Sequence, residues 1–254
     1  MSPTHEVLAS GGLLTKRYLS WDRDEHRREW AVLSQVHAHT RDLAPVPVSA
    51  DLDADPPTVT MSLLPGRPLT GALSPAELDG LAAALRTLWS VPCADLPPRR
   101  DAPDEFAAAV ADRLAAADRP AGPAGEAYDV ARAWLRDAKF GPGHTEVLGG
   151  ADPNLANYLW DGERVRIVDF EDAGRSDPEI ELADLVEHLE ARATDWSGFL
   201  AGFDPDPDRL LAGRRLFAAF WLHLLLPGGR AAARNPPGTL ERQAARVLTL
   251  FVST

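Results

Sequence analysis

The chain has 254 residues, 45% of them apolar and 25% charged, and carries a net charge of −12. Those values suit one hydrophobic core, or two parts sharing an interface, and exclude a disordered protein, a fibre or a disulfide scaffold; Cys93 is the sole cysteine. The acidic balance disfavours nucleic acid and anionic lipid as partners, no apolar run approaches the roughly 18 residues of a membrane span, and the start MSPTHEVLASGG lacks the pattern of a secretion signal. A cytoplasmic protein is expected.

Val7 to Ser20 reads as two short strands around the turn signal Ser10-Gly11-Gly12. Asp24 to about His39 has helical spacing, Pro45 and Pro47 interrupt the pattern, and Thr58 to Leu64 is strand-like up to Pro65-Gly66. Helices are then predicted from Pro75, capped by Ser74, to Trp89, from Asp104 to Asp118 and from Glu126 to Ala138. Asn157–Trp160 and Arg164–Phe170 should pair as strands about an Asp161-Gly162 turn. An acidic helix capped by Asp177-Pro178 is predicted to reach about Arg192, and Leu210–Leu226 and Thr239–Val252 close the chain. The layout is α+β, a small strand-rich piece followed by a larger helical one carrying a hairpin.

Only Lys16 and Lys139 are lysines, the other 24 basic residues being arginine. Thr15 and Ala138 precede them, so the Gly-Lys of a P-loop is absent. The hairpin region ADPNLANYLWDGERVRIVDFEDAG is the informative one. Pairing about Asp161-Gly162 brings Asn157 close to Asp169, and Asp152 lies five residues before Asn157. Two carboxylates and an amide oxygen thus converge, a donor set suited to Mg²⁺, with one carboxylate left to orient and deprotonate a hydroxyl.

This pattern resembles that of the aminoglycoside phosphotransferase and choline kinase group, small-molecule kinases with a protein-kinase-like fold. Gly150-Ala151-Asp152, Asn157, Asp169-Phe170-Glu171-Asp172, Asp177-Pro178 and Glu181-Leu182-Ala183 carry the likeness over about 35 residues. TKRYLSWDRDEHRREWAVL and TVTMSLLPGRPL extend it to the nucleotide-binding lobe and hinge. The resemblance implies a bilobal chain, with a nucleotide-binding lobe over residues 1–64 and a helical lobe over 65–254. It also implies ATP and Mg²⁺ as cofactors. Asp152 would be the catalytic base, and Asn157 with Asp169 the Mg²⁺ ligands. Lys16 would contact the nucleotide phosphates and pair with Glu29, preferred over Glu25 one helical turn earlier. Met61, Leu63 and Leu64 would hold the adenine, and Ser10, Gly11 and Gly12 would cover the phosphates. Two departures stand out: Gly150 and Ala151 replace the family's His-Gly before the catalytic Asp, and few residues precede Lys16.

The acceptor is expected to be a cationic small molecule. Between Asp169 and Asp195, ten acids face only Arg175 and Arg192, a net of −8. In the predicted acidic helix, Glu181, Asp184 and His188 share a face with Glu187 beside it, opposite an apolar stripe of Ile180, Ala183, Val186 and Leu189. Such a face would attract a polycation, so Asp172, Glu181, Asp184 and Glu187 are taken as substrate residues and an aminoglycoside as the first choice. Choline, ethanolamine, homoserine and sugar-amine kinases share the pattern, and a non-catalytic nucleotide-binding protein is the rival class. His188 and His223 are read as structural histidines.

Overall fold

The computed structural model describes residues 5–252. β1 (His5–Ser10) and β2 (Leu13–Tyr18) form a hairpin in which Ser10 pairs with Leu13, leaving Gly11 and Gly12 as the turn. Both glycines have positive φ, +58° and +78°, as a two-residue hairpin turn of this hand demands. The helix α1 (Glu25–His39) comes next, and β3 (Pro47–Asp51) and β4 (Thr58–Ser62) complete an antiparallel sheet of order β1-β2-β4-β3. Val32, Leu33 and Val36 of α1 are buried, as is Val59 of β4. The prolines hide β3 from a sequence reading. It is an edge strand with Pro47 as its first residue, where a missing N–H disrupts nothing.

Beyond the sheet come β5 (Arg67–Pro68), α2 (Pro75–Trp89), α3 (Pro103–Ala116) and α4 (Gly122–Leu135). Ser74 and Glu77 form a reciprocal capping box that fixes the start of α2. The short strands β6 (Val147–Gly149), β7 (Tyr158–Trp160), β8 (Val165–Ile167) and β9 (Gly174–Ser176) follow, with β5-β7-β8 in one sheet and β6-β9 in another. The expected hairpin is present with a longer connection. Trp160 pairs with Val165, and Asp161 accepts from the backbone N–H groups of Glu163 and Arg164 across a four-residue loop.

The chain ends with α5 (Pro178–Glu187), α6 (Ser197–Ala201), α7 (Pro207–Leu225) and α8 (Thr239–Val252). Asp177 caps α5 by accepting from Ile180 N at 3.1 Å and is itself held by Arg209 at 2.6 Å. The acidic helix is shorter than predicted, because the backbone turns extended at His188 and resumes as a 3₁₀ turn over Leu189–Ala193. It is also buried on nearly every side. α7 approaches so closely that a Cβ at Gly213 would lie 2.7 Å from that of Ala183. The predicted division into one acidic and one apolar face is therefore absent. Among the described residues no helix is long and apolar enough to cross a membrane.

Candidate active site

The loop leaving β6 positions the first carboxylate. Gly150 N donates to Glu181 Oε2 at 2.9 Å, Ala151 takes a left-handed φ of +60°, and Asp152 follows. Asp152 accepts from Asn157 Nδ2 at 3.1 Å and from Asn154 N at 3.3 Å. Burial raises the Asp152 pKa, Asp169 adds to the rise, and those hydrogen bonds oppose it. Asn157 closes a 3₁₀ turn, and its carbonyl accepts from Val168 N at 2.9 Å, which sets Asp169 beside it. Asp169, just past β8, also has a left-handed φ, +68°.

Lys16 on β2 is buried among three carboxylates: Asp169 at 2.7 Å, Glu171 at 2.7 Å and Glu29 at 3.0 Å. Burial works against the ammonium, but the three acids outweigh it and hold its pKa above the ordinary lysine value. Glu29 is fully enclosed on α1, accepting from the Tyr18 hydroxyl and from Phe170 N. Glu25 instead pairs with Arg23 at 2.5 Å.

Two cavities meet at this loop. One, of about 230 Å³, is lined by Lys16, Asn157 and Asp169 at one end and by Met61, Leu63 and Leu64 with Val7, Leu14 and Leu159 around it. The other, of about 410 Å³, contains Asp152, Asp172 and an aromatic wall of Phe106, Phe217, Phe220 and Trp221. Asp172 sits there against Arg100 at 3.0 Å, its pKa pushed up to about 7 by burial against the pull of Arg23. Donor chemistry fits a magnesium ion in the smaller cavity. The Asn157 amide nitrogen is committed to Asp152, which leaves its oxygen available, and Asp169 supplies a carboxylate to the same cavity.

Several expected site residues stand elsewhere. Ser10, Gly11 and Gly12 do not line the smaller cavity; a two-residue turn is too short to fold over it, and the strand residues Val7 and Leu14 occupy that side. Glu181 holds the backbone of the loop before Asp152, and Arg99 binds it at 2.5 Å and Asp184 at 2.6 Å. Glu187 is completely buried and paired with Arg192, Arg214 and Arg246. Glu181 and Glu187 are thus neutralised from within and line neither cavity, whereas Asp184, paired with Arg99, lines the larger cavity with Asp152 and Asp172. Removing one partner from a buried charge cluster typically costs about 3–5 kcal/mol. Glu187→Gln is accordingly expected to lower Tm by more than about 6 °C without the rise in acceptor KM that a substrate-binding role requires. Thermal melts and initial rates on one preparation separate the two.

Residues that sequence reasoning missed include Tyr18, Glu171 and Arg99, together with the aromatic wall. Glu171 lay in view inside Asp-Phe-Glu-Asp, but no spacing marks it as a partner of Lys16. Arg99 sits in a Pro-rich loop with no periodicity to assign it. His188 lines the larger cavity, accepts from Glu190 N at 3.3 Å and meets Trp221 edge to face at 4.9 Å. Burial, then Arg192, lowers its pKa to about 4. An unfolded His takes its proton near pH 6.5, before the folded one does, so this group removes stability as pH falls from 6.5 to 4, by up to about 3 kcal/mol. Denaturant titrations at pH 7 and 4.5 should show a smaller acid loss in His188→Gln than in the parent.

The sequence profile of the phosphotransferase enzyme family matches residues 11–217. No curated protein matches the chain in sequence. Solved structures do match in fold. A choline/ethanolamine kinase family protein from Mesorhizobium loti superposes with a TM-score of 0.67 at 18% identity, covering 100% of this chain and 87% of its own. A macrolide 2′-phosphotransferase from Brachybacterium faecium gives 0.62 at 18%, over 96% and 91%. A thermostable mutant of an aminoglycoside phosphotransferase, in ternary complex with AMP-PNP and hygromycin B, gives 0.65 at 16%, over 98% and 95%.

Proposed function

Because the chain belongs to the phosphotransferase enzyme family, we propose that it transfers the γ-phosphate of ATP to a hydroxyl of a small molecule, with the nucleotide in the smaller cavity and the acceptor in the larger. One observation carries this reading: a single loop and the end of β8 put Asp152 in one cavity and Asn157 and Asp169 in the other, where Lys16 of β2 meets Asp169. On this reading the chain is bilobal, dividing near residue 64, where Met61, Leu63 and Leu64 would flank the adenine. Asn157 and Asp169 would hold Mg²⁺, which supplies charge neutralisation on the phosphates. Lys16 exchanges one of its three carboxylates for a phosphate oxygen, while Glu29, locked by Tyr18, keeps the ammonium in place. Asp152 accepts the proton of the acceptor hydroxyl, its raised pKa suiting a base that must later release that proton. Positioning supplies much of the rate.

The acceptor follows from the larger cavity. Asp152, Asp172 and Asp184 line this cavity together with Arg99, Arg100, Arg230 and Arg234, so its charge is mixed rather than uniformly acidic, and the aromatic wall favours an acceptor with an apolar face as well as polar groups. ADP release with Mg²⁺-ATP, measured over macrolides, amino alcohols, sugar amines and aminoglycosides, tests the reading. Acceptor-dependent release above the water-driven rate is expected. Nucleotide binding without release for any hydroxylated compound would instead favour the non-catalytic class.

A further inference from the structure

A third cavity, of about 430 Å³, lies behind the acceptor cavity and plays no part in the reading above. Arg192, Arg214, Arg246, Thr194, Trp196 and Ser197 contribute to its lining. Arg192 comes from the 3₁₀ turn after α5, Arg214 from α7 and Arg246 from α8, so three elements bring their guanidinium groups to one place. All three converge on Glu187: Arg214 Nε reaches Oε1 at 2.9 Å, Arg246 Nε reaches Oε2 at 2.9 Å and Arg192 Nη2 reaches Oε2 at 3.3 Å.

One carboxylate cannot balance three guanidinium groups. Glu187 itself does not line the cavity, and Asp195, which does, forms no ion pair with them among the described residues; its Oδ1 accepts from Ser197 N at 3.0 Å and Ser197 Oγ at 2.7 Å. Arg192 Nε is buried and has no hydrogen-bond partner, an uncommon condition for a charged donor. Its pKa is lowered by burial first and, against Glu187, by Arg246 and Arg214. Unmatched positive charge and open volume therefore coincide.

We propose that this cavity binds a phosphate-class oxyanion, free or as a monoester, held by Arg192, Arg214 and Arg246. Guanidinium forks pair two donors at a time with phosphate oxygens, and each of these arginines keeps N–H groups that Glu187 does not use. Glu187 and His188 are consecutive, so the anion would lie one residue behind the wall of the acceptor cavity.

Thermal melts at constant ionic strength test the site, with inorganic phosphate and glycerol 3-phosphate each replacing chloride. Phosphate at ten times its Kd should raise the parent Tm by about 3–6 °C. Arg192→Gln leaves Glu187 two guanidinium partners and so should fold, yet lose most of that shift. Lys16→Met, altered in the nucleotide cavity, should keep it. If the shift vanishes in Lys16→Met and survives in Arg192→Gln, the anion binds with the nucleotide residues and the proposal fails. It fails equally if chloride matches phosphate. A shift from phosphate alone assigns the site to the free anion; one from both assigns it to the phosphoryl group. Because these melts need neither ATP nor acceptor, their result is independent of the kinase reading.

Discussion

Asp152→Asn is expected to fold, bind nucleotide as the parent does and lose about 10²- to 10⁴-fold in turnover, the usual cost of removing a general base. The new side chain keeps an oxygen to accept from Asn154 N or Asn157 Nδ2, so the loop geometry survives while the proton acceptor is lost. Calorimetric nucleotide titration and single-turnover ADP formation read the two properties separately. A turnover within about threefold of the parent would remove Asp152 from the chemistry and leave it as a loop-forming residue.

The second large effect concerns Asp169. Its left-handed φ of +68° makes alanine a poor probe, since strain would mix with loss of charge, whereas asparagine accepts that conformation readily. In Asp169→Asn, Lys16 retains Glu29 at 3.0 Å and Glu171 at 2.7 Å. The fold should hold while the tightening of nucleotide binding by Mg²⁺ disappears. That loss should exceed the roughly 10- to 100-fold seen when a residue merely supporting a metal ligand is changed. Equal Mg²⁺ enhancement in both proteins would return Asp169 to the role of a partner for Lys16 alone.

Local signals carried much of this architecture. Ser74 and Asp177 announce their helices because each cap is made within three residues. The pairing that joins Asn157 to Asp169 follows from one turn, so the convergence was readable even though the connection proved four residues long. Lys16 with Glu29 was readable for a different reason, the scarcity of lysine together with the resemblance to known kinases. What escaped the sequence is what depends on distant partners. Helical spacing placed Glu181, Asp184 and Glu187 correctly along α5, but their surroundings are set by Arg99, Arg192, Arg214 and Arg246, from 5 to 85 residues away. Spacing tells which residues share a side of a helix, not whether water or protein covers that side. An arginine-rich, acid-rich chain can hide much of its charge in internal pairs.

A phosphorylated enzyme is not required where donor and acceptor have separate chambers. Residues 151–154 line one chamber and Asn157 lines the other, so on the proposed reading both compounds would be bound at once with only a short loop between them. Direct passage of the phosphoryl group demands that the two be bound together. Initial rates measured over a grid of both concentrations should therefore give intersecting double-reciprocal lines, and each product should inhibit most strongly against the compound whose chamber it shares. Parallel lines would mean that a side chain carries the phosphoryl group between visits.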